Sequence, residues 1–495
     1  MKIVFLNPPA ADVEWFGDKA NFESPLGLAM LAAYVRQQGH EPVIIDVAAE
    51  RLSPEATAAR VAALGPAVVG ITANTVMMPP AICIATVLQE RLPDTLVVLG
   101  GKHVSVVPED VYNGKPPVFD VSVIGEGEET LLEIMQALEQ HGSKQALLAH
   151  PCALDSIRGV AFQRAGKLVK TPPRPFIRDL DSLPFPARDL LPFQRYKPVG
   201  NRYKRLPAFS MVAIRGCPYP CTFCSEARTT VRFSSPARVV AEIEHLIEQY
   251  GAKEITFWDD TMTVNKKWMY ELCDRIIEKQ LDIVWSCFAA INTITPELLA
   301  KMKRAGCWNI FYGIETTDET LKQHIRIQKF GSDLQVREII QQTQAAGIEV
   351  RAAFMVGLPG ETPEMAMKTL SLAILLEPDY AQWNYTVPYP GTELWGEMHQ
   401  HGRLIARHWG EFSNWYPSYL PFAYQHADDL IRVRKQILRR FYLRPRYVWG
   451  RLTKIRHVWD VRRYAGLAVD FLSVLGKAGG RRTRRADPSL AGPSL

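Results

Sequence analysis

Arg215-Gly216-Cys217-Pro218-Tyr219-Pro220-Cys221-Thr222-Phe223-Cys224 closes an apolar run, Phe209 to Arg215, that reads as a buried strand. Spacings of four and three put three thiolates on one short loop at the end of that strand. Three thiolates can hold three irons of a cubane cluster and leave the fourth iron without a protein ligand. An open iron can chelate a substrate, as an open position does at other catalytic metal centres. Pro218 and Pro220 keep the loop from collapsing into helix, and Gly216 lets backbone approach the cluster. A structural zinc site would want a fourth Cys or His at matching spacing nearby, and the sequence offers none.

Downstream, strand-like runs alternate with helical ones. The strands are expected at Glu254–Asp259, Val284–Ala290, Asn309–Glu315, Glu349–Val356 and Tyr380–Val387, and the helices at Pro236–Tyr250, Lys266–Gln280, Pro296–Ala305, Ser332–Ala346 and Pro363–Leu376. With the run before the cysteines this makes six strand–helix units, a partial (β/α)6 barrel of the TIM type over residues 207–395. In such barrels the chemistry sits on the loops after the strands. Those loops carry Trp258-Asp259-Asp260, Gly313-Ile314-Glu315-Thr316, Gly357-Leu358-Pro359-Gly360-Glu361-Thr362 and Pro388-Tyr389-Pro390-Gly391-Thr392. Taken singly, each has a plain structural reading as a cap or turn. Standing at consecutive strand ends behind a cysteine triplet, they point to a site.

Upstream, five apolar runs (Lys2–Leu6, Pro42–Asp46, Ala67–Thr72, Leu96–Leu99 and Val121–Ile124) are separated by helical stretches near Pro25–Gln38, Pro54–Leu64, Pro79–Arg91 and Ser105–Tyr112, with Glu129–Glu139 following. This is the pattern of an α/β domain over residues 1–150, a doubly wound Rossmann-like parallel sheet that binds ligands beyond the carboxyl ends of its strands. Small residues at four of those ends leave room for a large, flat ligand. The Gly-x-Gly after the last strand is misplaced for a dinucleotide fingerprint, which belongs after the first. Residues 151–206, rich in Pro and Asp, read as a linker that packs on both neighbours.

At 495 residues, two or three domains are expected, and 47% apolar with 22% charged residues is the composition of a water-soluble globular protein. No run reaches the length of a membrane span and the N-terminus reads as a strand rather than a leader, so a cytoplasmic location is expected. Five further cysteines (Cys83, Cys152, Cys273, Cys287 and Cys307) are scattered and read as buried inert thiols. The net charge of +6 hides an asymmetry: from Ile431 to Arg485 there are seventeen Lys or Arg against two Asp, so the remainder carries about −9. Residues 396–478 are expected to be helical, basic and aromatic, and 479–495 a disordered tail. Arginines interleaved with Phe441, Tyr447 and Trp449 can serve a helical cap, an anionic lipid or a polyanionic substrate. The cap is the preferred reading, and nucleic acid is not expected because the rest of the chain is acidic.

The Cys-x-x-x-Cys-x-aromatic-Cys loop, in its position after the first barrel strand, resembles that of the radical S-adenosylmethionine superfamily. The sheet ahead of the barrel resembles the cobalamin-binding branch of that superfamily, and the likeness covers roughly residues 1–395. The resemblance implies a 4Fe-4S cluster on Cys217, Cys221 and Cys224, with the amino and carboxylate groups of S-adenosylmethionine on the open iron. It places Phe223 near the adenine, Asp259 and Asp260 near the methionine amino group, and Glu315 on the ribose hydroxyls, with Gly357 and Gly360 in the same binding surface. It places cobalamin against Asn7, Thr72, Asn74, Thr75, Gly100, Gly101, His103, Gly125, Glu126 and Gly127. The chain lacks the Asp-x-His-x-x-Gly signature of many cobalamin domains, which leaves the lower axial ligand of cobalt open; His103 follows the fourth strand and is expected in the pocket wall. By the same resemblance, one electron from a flavodoxin or ferredoxin starts cleavage of S-adenosylmethionine to a 5′-deoxyadenosyl radical, and a small-molecule substrate is methylated at an unactivated carbon. Oxidative cyclisation or rearrangement of a tetrapyrrole or lipid-like substrate is the alternative among enzymes. A cluster-bearing cobalamin sensor without turnover is the alternative outside them. The basic C-terminal helices leave a peripheral membrane contact open.

Overall fold

The computed structural model describes residues 1–10, 24–112, 117–196, 202–453, 455 and 466. The expected tail and the stretch around Trp459 lie outside them. Two sheets organise the chain. The first runs β2-β1-β3-β4-β5-β6-β7, with β1 Lys2–Leu6, β2 Glu41–Ile45, β3 Val68–Thr72, β4 Leu96–Gly100, β5 Val121–Val123, β6 Val160–Arg164 and β7 Lys167–Lys170. Strands β1 to β5 are parallel, and the order reverses at β1, as doubly wound sheets do. The antiparallel hairpin β6–β7 corrects the expectation of a plain linker there. Its four- and five-residue strands, joined at Ala165-Gly166, are too short and too polar to stand out from a loop by periodicity. The rest of the linker does pack on both neighbours: Ala187 and Leu191 enter the first core, while Phe193 touches both.

The second sheet is open and all parallel, in the order β15-β14-β13-β12-β11-β8. It comprises β8 Ala208–Met211, β11 Glu254–Phe257, β12 Val284–Ala289, β13 Cys307–Glu315, β14 Glu349–Val356 and β15 Tyr380–Tyr385. Ser53-Pro54, Ser235-Pro236, Thr295-Pro296 and Thr362-Pro363 start helices in the two units. In each pair the hydroxyl accepts an amide of the first turn and the proline sits where no hydrogen bond is lost. Alternation along each barrel strand divides the faces. Ile255, Phe257, Cys287, Ile310, Tyr312, Val350, Phe354 and Trp383 pack outward under the helices. Thr256, Trp258, Phe288, Phe311, Arg351 and Gln382 occupy the alternate positions.

Two expected elements break. The run Ser105–Tyr112 is two short helices, Lys102–Val106 and Glu109–Tyr112, because Pro108 removes a donor between them. The first barrel strand stops at Met211; Ile214–Arg215 (β9) pairs antiparallel with Arg232–Phe233 (β10) in a separate ribbon. The cysteine loop is therefore the excursion of a small hairpin rather than the direct continuation of a barrel strand.

The basic C-terminal helices cap the barrel. The helix Ala427–Tyr442 buries Leu430, Ile437, Leu438 and Phe441 in the barrel core. Backbone at the edge strand β15 is paired by side chains from this region. Arg434 Nε donates to the Trp383 carbonyl (2.8 Å), Tyr442 Oη to that of Ala381 (2.6 Å), and Tyr447 Oη to that of Asp379 (2.9 Å). An open sheet edge is thereby covered.

Candidate active site

Gly216 sets the course of the cysteine loop. Its φ is +93°, and a Cβ there would lie 2.3 Å from the Thr230 carbonyl oxygen, so only glycine allows the two arms of the hairpin to close. The Cys217 amide donates to Thr229 Oγ1 (2.8 Å), the Cys224 amide to the Cys221 carbonyl (3.1 Å), and the Thr222 amide to the Ile325 carbonyl (3.2 Å). Cys217 and Cys221 are buried and Cys224 is half-buried. Burial pushes the Cys221 thiol up to about 11 and raises Cys224 as well, with the neighbouring thiols adding to both. Thiolates that feel one another's charge in this way are stabilised by a shared cation or metal.

One cation is already there, and sequence reasoning missed it. Lys329 lies in the loop after helix Glu319–His324. Burial works against its charge, but Glu315, Cys221, Cys217 and Cys224 more than offset that and hold its pKa above the ordinary lysine value. Nothing local marks it, because Ile327-Gln328-Lys329-Phe330 reads as an ordinary surface loop.

Glu315 ends β13 at a register shift, with a left-handed φ of +66°. Its Oε1 lies 2.5 Å from where a Cβ on Gly313 would be, and Lys329 Nζ lies 3.6 Å from that same point. Gly313 is thus the gap that lets the carboxylate fold back toward the lysine. Burial raises the pKa of Glu315, and Lys329 offsets only part of that rise. This buried acceptor and the thiols share one cation, an arrangement that suits a polar, charged ligand beside a cluster. Phe223 packs against Leu321, Ile325 and Leu358 on one side and against Leu394 and Tyr419 on the other.

Other candidates are committed elsewhere. Asp259 is buried, and its Oδ1 accepts the Ala213 amide (2.7 Å) and the Ile214 amide, holding the kink where β8 gives way to β9. Burial lifts its pKa to about 7. Only Oδ2 is left without a partner among the described residues, so this side chain shapes the loop rather than presenting a free carboxylate. Asp260 is exposed, with a pKa lifted to about 6 by desolvation and by Glu226. A Cβ on Gly357 would meet Leu430 at 3.0 Å, so this residue packs under the C-terminal helix, whereas Gly360 has only Leu321 within reach, at 3.9 Å. Glu361, buried, ties off that loop by accepting the Gly357 amide.

At the first sheet, the loops after β3 and β4 touch. A Cβ on Gly101 would lie 2.5 Å from the Ala73 carbonyl oxygen, and the Ala73 amide donates to the Gly100 carbonyl (2.9 Å). Thr72 and Gly100 are half-buried beside this contact, and Asn74 and Gly125 are exposed. Asn7 donates to Asp46 Oδ1 (2.9 Å), which turns its amide toward the neighbouring strand end. His103 is fully buried, 3.4 Å from Thr75 Oγ1 and edge-on to Trp409 at 4.9 Å, with its pKa lowered by burial to about 4. Its Nε2 finds no hydrogen-bond partner among the described residues, and Asp110 Oδ2 lies 3.8 Å away.

Glu126 departs furthest from the expectation. Its carboxylate takes Arg215 Nη1 (2.8 Å), Arg232 Nη1 (2.9 Å) and the Ile177 amide (2.9 Å), so it is engaged by the barrel and is no free contact for a ligand. Gly127 packs on Leu31, 3.2 Å from where a Cβ would be.

Among the scattered cysteines, Cys152 is exposed and Cys83 half-buried, against the expectation of burial. Cys273, Cys287 and Cys307 are buried together in the barrel's hydrophobic core.

Two family models match the chain: the B12 binding domain over residues 19–135 and the radical SAM superfamily over residues 211–373. The chain is 33% identical over 428 residues to the "uncharacterized methyltransferase PH0819" of Pyrococcus horikoshii, covering 85% of this chain and 88% of that one. It is 29% identical to the anaerobic magnesium-protoporphyrin IX monomethyl ester cyclase of Rubrivivax gelatinosus, covering 87% of this chain and 76% of that one. The solved structure of the radical S-adenosylmethionine methyltransferase TsrM from Kitasatospora setae, with cobalamin and a [4Fe-4S] cluster bound, shares the fold. Its TM-score is 0.69 at 16% identity, over 96% of this chain and 99% of that one.

Proposed function

The chain belongs to the radical S-adenosylmethionine enzymes that carry an N-terminal cobalamin-binding domain, and from that membership we propose that it methylates an unactivated carbon of a small biosynthetic molecule. The observation that carries the reading is the direct apposition of the cysteine loop to the strand-end loops of the first sheet, through Arg215–Glu126, Arg215–Glu128 and Lys102–Glu226. A cluster on one side and a corrin on the other would then face a common space.

When bound, the 4Fe-4S cluster and S-adenosylmethionine supply a radical able to abstract hydrogen, and cobalamin supplies a transferable methyl group. Cys217, Cys221 and Cys224 would hold the cluster, Glu315 would take the ribose hydroxyls, and Lys329 would balance the negative charge that both bring. Phe223 would close the adenine side. Thr72, Asn74, Gly100, Gly101 and Gly125 would line the cobalamin surface, with His103 and Thr75 in its wall. The substrate would lie along the inner face of the barrel, where Trp258, Phe288 and Phe311 form a chain of rings with centroids 5.4 and 4.9 Å apart. A cavity of about 390 Å³, lined by Phe193, Tyr196, Arg202, Ser210, Thr256 and Trp258, opens beside it, a volume suited to a small organic molecule. Trp258 Nε1 and Ser286 Oγ find no hydrogen-bond partner among the described residues, so a polar group of the substrate has somewhere to bind.

Oxidative cyclisation remains the second reading, favoured by the 29% identity to the cyclase. Anaerobic reconstitution with hydroxocobalamin and a low-potential donor of the flavodoxin or ferredoxin class tests both. 5′-Deoxyadenosine formation is expected. Label from methyl-labelled S-adenosylmethionine is expected in the product of a methylase and absent from that of a cyclase. The full chain should retain cobalamin through gel filtration, and His103→Ala should leave the cobalt spectrum nearly unchanged. A large spectral change would put this histidine on the metal.

No helix among the described residues is long and apolar enough to cross a membrane. A cytoplasmic enzyme touching the membrane surface is proposed from the helix Pro445–Leu452, whose Val448, Trp449 and Leu452 are exposed beside Arg446. Co-sedimentation with anionic but not zwitterionic vesicles is expected, and Trp449→Ala should weaken it; equal recovery with both vesicles would remove the membrane from the account.

A further inference from the structure

We propose that the turn Glu126–Glu128, together with Lys102, is a clasp by which the N-terminal unit positions the cysteine loop, with Arg215, Arg232 and Glu226 as the positioning residues on the loop side. Strand β8 ends at Met211, so the loop leaves the barrel sheet before its first cysteine. Three ion-paired residues bracket it instead. Arg215, two residues before Cys217, spans two carboxylates, Glu126 Oε1 at 2.8 Å and Glu128 Oε1 at 2.6 Å. Arg232, on the returning arm of the hairpin, reaches Glu126 at 2.9 Å and donates to the Ile177 carbonyl at 2.7 Å. Glu226, two residues after Cys224, pairs with Lys102 at the start of the helix that follows β4. The carboxylates and the lysine all come from the turns and helix starts that follow strands of the first sheet.

Geometry makes this more than surface pairing. The Arg215, Arg232, Glu126 and Glu128 side chains are 17%, 10%, 15% and 7% exposed, so water screens them little. A guanidinium shared between two fixed acceptors sets orientation as well as distance, which a single lysine contact does not. Arg215 is also continuous with Gly216, whose left-handed backbone admits no side chain, so a shift at the guanidinium passes into the Cys217 turn without slack. A ligand that settles on the loops at Gly100–Lys102 and Gly125–Glu128 therefore stiffens the cysteine loop from both ends. This last step rests on the reading of the N-terminal unit as the cobalamin site.

Hydrogen exchange read by mass spectrometry on the full-length, cluster-reconstituted protein tests the clasp. Glu126→Gln keeps the shape and removes the charge. Loss of charged hydrogen bonds of this kind is expected to speed amide exchange across residues 214–233 by about tenfold, leaving β12–β15 unchanged. Lys102→Met, at a more exposed pair, should speed the Cys224–Arg228 side alone and guards against a misfolded Glu126 variant. Hydroxocobalamin should slow exchange across 214–233 in the unmodified chain and no longer in Glu126→Gln, although both retain it. Unchanged exchange across 214–233 in both variants overturns the clasp. If the unmodified chain retains no hydroxocobalamin, the cofactor reading of that unit falls, and the variants without cobalamin still decide the clasp.

Discussion

Replacing any one of Cys217, Cys221 or Cys224 by alanine is expected to remove the brown chromophore of the reconstituted protein almost completely, while Cys83→Ala or Cys273→Ala leaves it. The control is demanding, because the chain contains a second buried triplet, Cys273, Cys287 and Cys307. That triplet joins a helix to β12 and β13 inside the hydrophobic core, on the face away from the barrel interior. Burial raises the Cys273 thiol to about 12 and Cys307 well above the usual range, which favours inert protonated thiols. The loop triplet differs in having Lys329 beside it and Gly216 to admit backbone. Iron and sulfide analysis checks the result. Retention of about four irons in Cys221→Ala would sink the assignment, since three protein thiolates hold this type of cluster.

Glu315→Ala is expected to preserve the chromophore and weaken S-adenosylmethionine binding by about 1.5–3 kcal/mol, or roughly 10- to 150-fold in Kd, the worth of a hydrogen bond to a charged acceptor. The loss falls on binding because the side chain lies at the end of β13, away from the loop hydrogen bonds that order the cysteines. Its conformation depends on Gly313, so Gly313→Ala should weaken binding as well by pushing the carboxylate off its place. Equilibrium dialysis against the reconstituted protein measures both. An unchanged Kd in Glu315→Ala would return the residue to the role of a strand-end cap.

Much of the architecture is legible in the sequence. Val68–Thr72 and Leu96–Gly100 announce buried parallel strands by unbroken apolar runs, because both faces of such a sheet are covered. Pro236–Tyr250 and Pro363–Leu376 were bounded to the residue, since a Ser/Thr-Pro start is a local hydrogen-bond device that needs no tertiary partner. The short hairpin at 160–170 and the break at Met211 were not legible. The first lacks length, and the second is imposed by Asp259, a carboxylate nearly fifty residues on in sequence.

What the sequence by itself determined is the chemistry: three thiols at fixed spacing on one loop, behind an α/β sheet and ahead of strand–helix repeats. Spacing along a chain is a local property and survives any later packing. Which charges share the loop's surroundings is not local. Glu126, expected to meet a ligand, pairs across 89 residues with Arg215, and Lys329 comes to Glu315 and the thiols from an unremarkable loop. A side chain's electrostatic partners are chosen by proximity in three dimensions, and a buried charge must find one at whatever sequence distance it lies. Only the tertiary structure could therefore decide which carboxylate faces a ligand and which holds the two halves of the protein together.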